Sequence, residues 1–232
     1  MRVFVGTSGY SYKEWKGSFY PDDLPADRML SYYAERFRTV EINNSFYRMP
    51  SESVLSRWAN EVPEEFTFVL KAPRRITHEK RLKDVEGDVG YLVKAASVLG
   101  KKLGPLLFQF PPFLKKDLPK LQDFLKLLPK DQRPALEFRH ASWFSDDLYE
   151  TLRSHGAALC FAETDDEGEV PRVPTASWGY LRLRRKDYGE RELRNWAERI
   201  RDHNWDEVFV FFKHEDEGIG PKLATRFIEL CG

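Results

Sequence analysis

The sequence predicts an α/β protein folded as a TIM-type (β/α)8 barrel, with one βα unit that lacks a regular helix. Short apolar, β-branched or aromatic runs alternate with helical patterns, which is typical of βα units around a mostly parallel sheet. Eight such runs occur in 232 residues, the size of one compact barrel. No linker or fixed-period repeat divides the chain, so we expect a single domain over residues 1–232. An open doubly wound sheet is the alternative.

The eight predicted strands follow the apolar runs in chain order. They are Arg2 to Gly6, Thr39 to Asn43, Phe66 to Ala72, Pro105 to Phe110, Ala135 to Arg139, Ala157 to Ala162, Gly179 to Arg184 and Glu207 to Lys213. Between most of them apolar residues recur at helical spacing, so one face of each helix can pack on the sheet. Residues 163–177 are different: five acidic residues and two prolines without helical periodicity predict a loop.

Charge and composition exclude several classes of protein. The 37 Lys and Arg balance 37 Asp and Glu, so the chain is not globally polybasic and electrostatic recognition must be local. No run approaches the ~18 apolar residues of a membrane span. The first residues show no export pattern and the two cysteines no disulfide or zinc spacing, so we expect a cytoplasmic protein. Five Asn and three Gln beside 32% charged residues favour a thermophilic source.

Polar side chains lie near the carboxyl ends of strands that should otherwise be apolar. These residues are Glu41, Asn43, Lys71, Gln109, Glu137, Arg139, Arg182 and Arg184. Alternate residues of a strand share a face, so Glu41 with Asn43, Glu137 with Arg139, and Arg182 with Arg184 are expected to point into the barrel. Barrel enzymes place their active sites at this end. The alternative is a structural layer in which the two glutamates only neutralise the buried cations.

The predicted loops at the same end contain glycine, hydroxyl and aromatic side chains. Residues 6–12, Gly-Thr-Ser-Gly-Tyr-Ser-Tyr, could hold an anion with backbone N–H groups or form a tight turn, since they match neither the P-loop nor the dinucleotide pattern. Tyr10, Tyr47 and Trp143 could stack on sugars or bases, or could pack the mouth of the barrel.

Several motifs together resemble the YecE-like family, also known as domain of unknown function 72. They are the loop at 6–12, Thr39-Val40-Glu41-Ile42-Asn43-Asn44-Ser45-Phe46-Tyr47, Gly104-Pro105-Leu106-Leu107-Phe108-Gln109-Phe110-Pro111-Pro112 and Glu137-Phe138-Arg139-His140-Ala141-Ser142-Trp143-Phe144. The resemblance spans essentially the whole chain and implies a TIM-type barrel, but no established activity. After the last strand the family usually has an Asn-Asn-Asp-like segment, whereas this chain has Lys213 and His214, so ligand contacts there would differ.

The favoured hypothesis is an enzyme that acts on an anionic substrate by acid/base chemistry at the barrel mouth. A phosphate-bearing sugar, a nucleotide or a nucleic-acid end would fit. The expected catalytic residues are Glu41, Glu137, His78 and His140. The expected substrate-binding residues are Thr7, Tyr10, Asn43, Tyr47, Lys71, Gln109, Arg139, Trp143 and Arg182. The sequence identifies no cofactor and leaves the oligomeric state open.

Two other hypotheses stay open. The first is a metal-dependent phosphodiesterase, endonuclease-like or isomerase-like barrel, with ligands drawn from His78, His140, His214, Glu41, Glu137, Glu163 and Asp165. We expect no metal site, because the neighbouring cations would repel a metal ion. The second is a non-catalytic nucleic-acid or partner-binding protein that uses the basic residues between positions 71 and 83.

Overall fold

The computed structural model describes residues 1–165, 170–185, 187–213 and 217–232. Within these ranges eight parallel strands form one sheet. The strands are β1 (Arg2–Thr7), β2 (Thr39–Ile42), β3 (Thr67–Lys71), β4 (Leu103–Gln109), β5 (Pro134–Glu137), β6 (Ala158–Glu163), β7 (Trp178–Leu183) and β8 (Glu207–Phe212). Their order is β1-β8-β7-β6-β5-β4-β3-β2, which is the neighbour order of a (β/α)8 barrel. The predicted fold class is confirmed, and every predicted strand boundary lies within two residues of the observed one.

Helices cover the outside of the barrel after most strands. They are α1 (Met29–Ala34), α2 (Glu52–Glu61), α3 (Glu86–Ala96), α4 (Leu118–Lys126), α5 (Asp146–Ser154), α6 (Glu190–Asp202) and α7 (Ile219–Cys231). In the segment between β6 and β7, the described residues 164, 165 and 170–177 contain no helix, as the acidic, proline-containing sequence predicts. Among the described residues, no helix is long and apolar enough to span a membrane.

The barrel closes where β1 meets β2. A parallel bridge joins Ser8 to Glu41, and the Gly9 amide donates to the Glu41 carbonyl over 2.8 Å. Gly6 is needed at this seam, because a Cβ there would lie 2.2 Å from the Thr39 carbonyl oxygen. The Ser8 amide donates to the Phe212 carbonyl. The amides of Ser8 and Gly9 therefore serve barrel closure, which supports the tight-turn interpretation of the first loop.

The inward-facing side chains are apolar in one part of the barrel and polar in another. The apolar part includes Val69, Leu107, Cys160, Tyr180 and Phe211, all fully buried. Nearer the carboxyl ends of the strands the inward side chains become charged or polar. Because the strands are parallel, their carboxyl ends all lie at the same end of the barrel. The polar inward side chains therefore lie together at one mouth.

Candidate functional site

A buried ionic network fills the barrel just below its carboxyl-end mouth. Glu41 and Glu137 are fully buried, and Arg182 between them is 1% exposed. Arg182 donates from Nη2 to Glu41 Oε1 over 2.8 Å and from Nη1 to Glu137 Oε2 over 2.7 Å. One guanidinium therefore bridges strands β2 and β5 from its position on β7, and fixes both carboxylates in place.

Glu41 is saturated with hydrogen-bond donors. Ser8 Oγ and Asn43 Nδ2 donate to Oε1 over 2.7 and 3.0 Å, and the Tyr180 hydroxyl donates to Oε2 over 2.6 Å. Burial alone would raise the pKa of Glu41, but Arg182 and the hydroxyl donors outweigh burial and hold the pKa below its ordinary value. Glu41 therefore stays ionised at neutral pH.

Glu137 is held in the same way from the other side of the barrel. Arg184 Nη2 and Gln109 Nε2 each donate to its Oε1 over 2.8 Å. Burial again acts to raise the pKa, but Arg182 and Arg184 prevail and lower it to about 2. A general acid or base for neutral pH works best with a pKa near 7. Neither glutamate has the electrostatics of such a group.

Lys71 is a titratable group of the mouth whose pKa is lowered towards neutral pH. Its Nζ donates to Gln109 Oε1 over 2.8 Å and lies 4.1 Å from the centroid of the Phe46 ring. Burial lowers the pKa of Lys71 to about 8; Arg182 adds to this shift, and Glu137 opposes it. At neutral pH a minor fraction of the Lys71 side chains is therefore present as the uncharged amine.

His78 and Arg139 lie on the loop side of the same region. His78 belongs to a π-helical turn, Arg75–Glu79, and its ring packs edge-on against Phe46 with centroids 4.9 Å apart. Burial lowers the pKa of His78, and the charges of Lys71, Arg74 and Arg139 lower it further. His78 is therefore neutral at pH 7 and surrounded by positive charge.

Among the described residues of the network, cations outnumber carboxylates. Glu41 and Glu137 carry two negative charges, and Arg182, Arg184 and protonated Lys71 carry three positive ones. Such an excess in a half-buried, low-dielectric mouth attracts anions.

Some of the predicted site residues lie away from this network. Thr7 is buried with its hydroxyl bonded to the Gly9 carbonyl and to Tyr33. Trp143 is 1% exposed, donates to the Leu114 carbonyl and stacks on Phe138, so it packs the barrel. The phenol of Tyr10 has its pKa raised to about 12, by burial and then by Glu61 of α2.

His140 and Tyr47 have surroundings of their own. His140 Nδ1 accepts from the Ser142 amide over 3.1 Å and so caps a short 3₁₀ turn, Ala141–Trp143. Tyr47 is 74% exposed and lines a groove of about 620 Å³ next to the mouth, together with Pro73 and Tyr91.

Ser8 and Tyr180 were not among the expected site residues, and Arg184 was expected to point into the barrel but had no assigned role. Tyr180 shares the face of Arg182 on β7, so period-two alternation could have found it. Ser8 follows Thr7 directly, and two adjacent hydroxyl residues gave no indication of which one faces inward.

The residues of the metal hypothesis are dispersed. Across the described part of the chain, no group of three or more His, Cys, Asp and Glu side chains could hold a metal ion. Glu163 accepts from the Trp196 indole, and Asp165 pairs with Arg185. His214 lies outside the described residues.

The basic stretch of the nucleic-acid hypothesis is ion-paired within its own neighbourhood. Arg75 and Lys80 bind the two carboxylate oxygens of Asp88 over 2.7 Å each, and Arg74 pairs with Glu79. Local acids therefore neutralise part of the positive charge that the sequence shows there.

Comparison with known proteins agrees with the fold and the motifs. A family model described as "Protein of unknown function DUF72" matches residues 4–232. The chain belongs to the DUF72 family. The UPF0759 protein YunF of Bacillus subtilis (strain 168) is 28% identical over 229 residues, which cover 93% of this chain and 79% of YunF. The UPF0759 protein YecE of Escherichia coli (strain K12) is 27% identical over 155 residues, which cover 66% of this chain and 54% of YecE.

Solved structures of DUF72 proteins have the same architecture. A family member from Thermotoga maritima MSB8 superposes with a TM-score of 0.86 at 28% identity, covering 99% of both chains. A member from Enterococcus faecalis V583 gives 0.79 at 19% identity, covering 99% of this chain and 95% of the other. The DUF72 resemblance expected from the sequence motifs is confirmed, and it carries no established activity.

Proposed function

We propose that this DUF72 protein is an enzyme that binds an anionic substrate at the carboxyl-end mouth of its barrel and uses Lys71 for proton transfer. The observation that carries the proposal is the surplus of cations around a lysine with a pKa of about 8. Burying charged side chains costs folding free energy because they lose their hydration. Perturbed pKa values in a barrel mouth therefore favour a functional site over a structural one.

The proposal divides the expected residues into two roles. Glu41, Glu137 and Arg182 form a buried ion-pair network below the site, and all three side chains stay charged near neutral pH. Arg139 and Arg184 lie nearer the open end, where guanidinium groups can hold phosphate or carboxylate oxygens in bidentate fashion. Arg184 binds Glu137 through Nη2.

Binding of inorganic phosphate and sulfate, measured by isothermal titration calorimetry at pH 7, tests the anion site. We expect Arg139→Gln and Arg184→Gln each to weaken anion binding at least about tenfold, which is the loss of one charge-assisted hydrogen bond. Arg133→Gln is the matched control, because Arg133 pairs with the buried Glu207 at the opposite end of the barrel. Equal binding by the wild type and both mouth variants would reject the proposal.

A further inference from the structure

We propose that Lys71 acts as a nucleophile that forms a Schiff base with an aldehyde or ketone group of the anionic substrate. This inference rests on the proposed anion site and narrows its substrate to an anionic carbonyl compound. In this inference Lys71 forms a covalent bond to the substrate in addition to transferring a proton.

The surroundings of the amine are those of a nucleophile. Lys71 is 9% exposed at the end of β3, and among the described residues no carboxylate lies within salt-bridge distance of its Nζ. The neutral amide of Gln109 accepts its hydrogen bond in place of a carboxylate. A lysine paired with a glutamate would be held as the ammonium ion, whereas this amine can lose its proton at little cost.

The network explains why no carboxylate reaches Lys71. Arg182 takes one oxygen from each glutamate, and Arg184 and Gln109 take the remaining oxygen of Glu137. Gln109 thus donates to Glu137 through its nitrogen and accepts from Lys71 through its oxygen. It separates the amine from the nearest carboxylate by one amide group.

The reaction balances with solvent water as the proton carrier. The Lys71 ammonium, whose pKa burial lowers to about 8, gives its proton to water. The amine lone pair forms the C–N bond while the carbonyl π pair moves to oxygen, and a proton passes from nitrogen to that oxygen to give a carbinolamine. Solvent water returns the proton to the hydroxyl, the C–O bond breaks, and water leaves as the nitrogen lone pair completes C=N. The net change is ammonium plus carbonyl to protonated imine plus water, without oxidation or reduction.

The charged groups around Lys71 set the pH dependence of this step. Arg182 and Arg184 on β7 lower the pKa of the amine, and Glu137 and Glu41 raise it, in addition to the larger effect of burial. His78 is a neutral neighbour at pH 7. The rate of imine formation should therefore level off near pH 8, about two pH units below the plateau of a surface lysine.

Pyridoxal 5′-phosphate, an anionic aldehyde, is the test probe. The protein is incubated with it, reduced with borohydride and mapped by peptide mass spectrometry. At pH 7 we expect Lys71 to be labelled roughly 100-fold faster than the exposed Lys126, because a far larger share of its amine is neutral. Lys102 is the half-buried control, since the backbone carbonyls of Ala59 and Val62 accept hydrogen bonds from its ammonium group.

Two comparisons separate this inference from the anion site itself. Pyridoxine 5′-phosphate, the corresponding alcohol, should bind with similar affinity and form no adduct, and Lys71→Arg should bind it but lose the labelling at position 71. Binding of the alcohol together with labelling of Lys71 no faster than Lys126 would overturn the Schiff base and leave the proposed function standing. If the alcohol does not bind, both proposals fail.

Discussion

Replacement of Arg182 by methionine should destabilise the protein strongly and reverse the way its stability responds to acid. The guanidinium is 1% exposed and donates three hydrogen bonds of 2.7 to 3.2 Å to two fully buried carboxylates. Without it, Glu137 keeps Arg184, but Glu41 keeps only neutral donors such as Ser8 and Tyr180. Breaking a buried ion pair by removing one partner costs about 3–5 kcal/mol, so we expect a loss of about 4 kcal/mol at pH 7.

The pH dependence follows from the sign of the pKa shifts. In the wild type the folded pKa of Glu137 is about 2, below its unfolded value of 4.5, so its contribution to stability is lost as pH falls from 4.5 towards 2. In Arg182→Met the buried, unpaired Glu41 should have a pKa above its unfolded value. Protonation then relieves the buried charge, so lowering the pH from 7 to 5 should stabilise the variant.

Thermal unfolding followed by circular dichroism at pH 7 and pH 5 measures both effects. A loss of about 4 kcal/mol corresponds to a fall in Tm of about 10 °C for a chain of this size. Arg133→Met is the control: its side chain is 33% exposed and Glu207 keeps Arg2 as a partner, so its loss should be about 1 kcal/mol. The double variant Glu41→Gln/Arg182→Met should recover part of the stability. A loss under about 1 kcal/mol at pH 7, or a variant that becomes less stable at pH 5, would refute the reasoning.

Two further variants test other parts of the network. Lys71→Met should raise Tm at pH 7: the folded pKa of about 8 lies below the unfolded 10.5, so the buried ammonium destabilises the fold below pH 8, by about 3 kcal/mol, and this penalty disappears between pH 8 and 10.5. Melting curves from pH 7 to 10.5 should therefore converge for the two proteins; a constant difference would contradict the assigned shift. Tyr180→Phe removes a 2.6 Å hydrogen bond to the ionised Glu41 and should cost about 2 kcal/mol, against about 1 kcal/mol for Tyr20→Phe, whose buried hydroxyl donates to the neutral Tyr10 carbonyl. Equal losses in chemical denaturation would show that the charge of Glu41 adds nothing to its bond with Tyr180.

The strands and their order along the chain could be predicted because each strand is a short apolar run bounded by polar sequence. The inward direction of Glu41 and Arg182 could be predicted as well, since charged residues at spacing two on an otherwise apolar strand fix which face they share. The absence of a helix among the described residues between β6 and β7 was predicted from acidic residues and prolines without helical periodicity.

The loops and the first strand could not be predicted to the same level. A parallel strand buried on both faces has apolar residues in both directions, so Thr7 and Ser8 are equivalent by pattern, and only the seam with β2 assigns Ser8 to the interior. Trp143 and Tyr10 follow strands in the sequence as ligand-binding residues often do. Trp143 packs on Phe138 in the core, and Tyr10 is half-buried against Trp58 of α2; no local sequence pattern contains that information.

The seam between β1 and β2 restricts how this barrel can change its chemistry. Glu41 closes the seam through its backbone oxygen, bonded to Gly9, and contributes to the charged mouth through its carboxylate, bonded to Ser8 and Arg182. A substitution that changes the charge at this position keeps the backbone bond to Gly9 but removes the hydrogen bond from Ser8, which is a side-chain link between β1 and β2 where the barrel closes. New specificities in this chain should therefore arise first at Arg139, His78 and the groove beside Tyr47, with residue 41 left as it is.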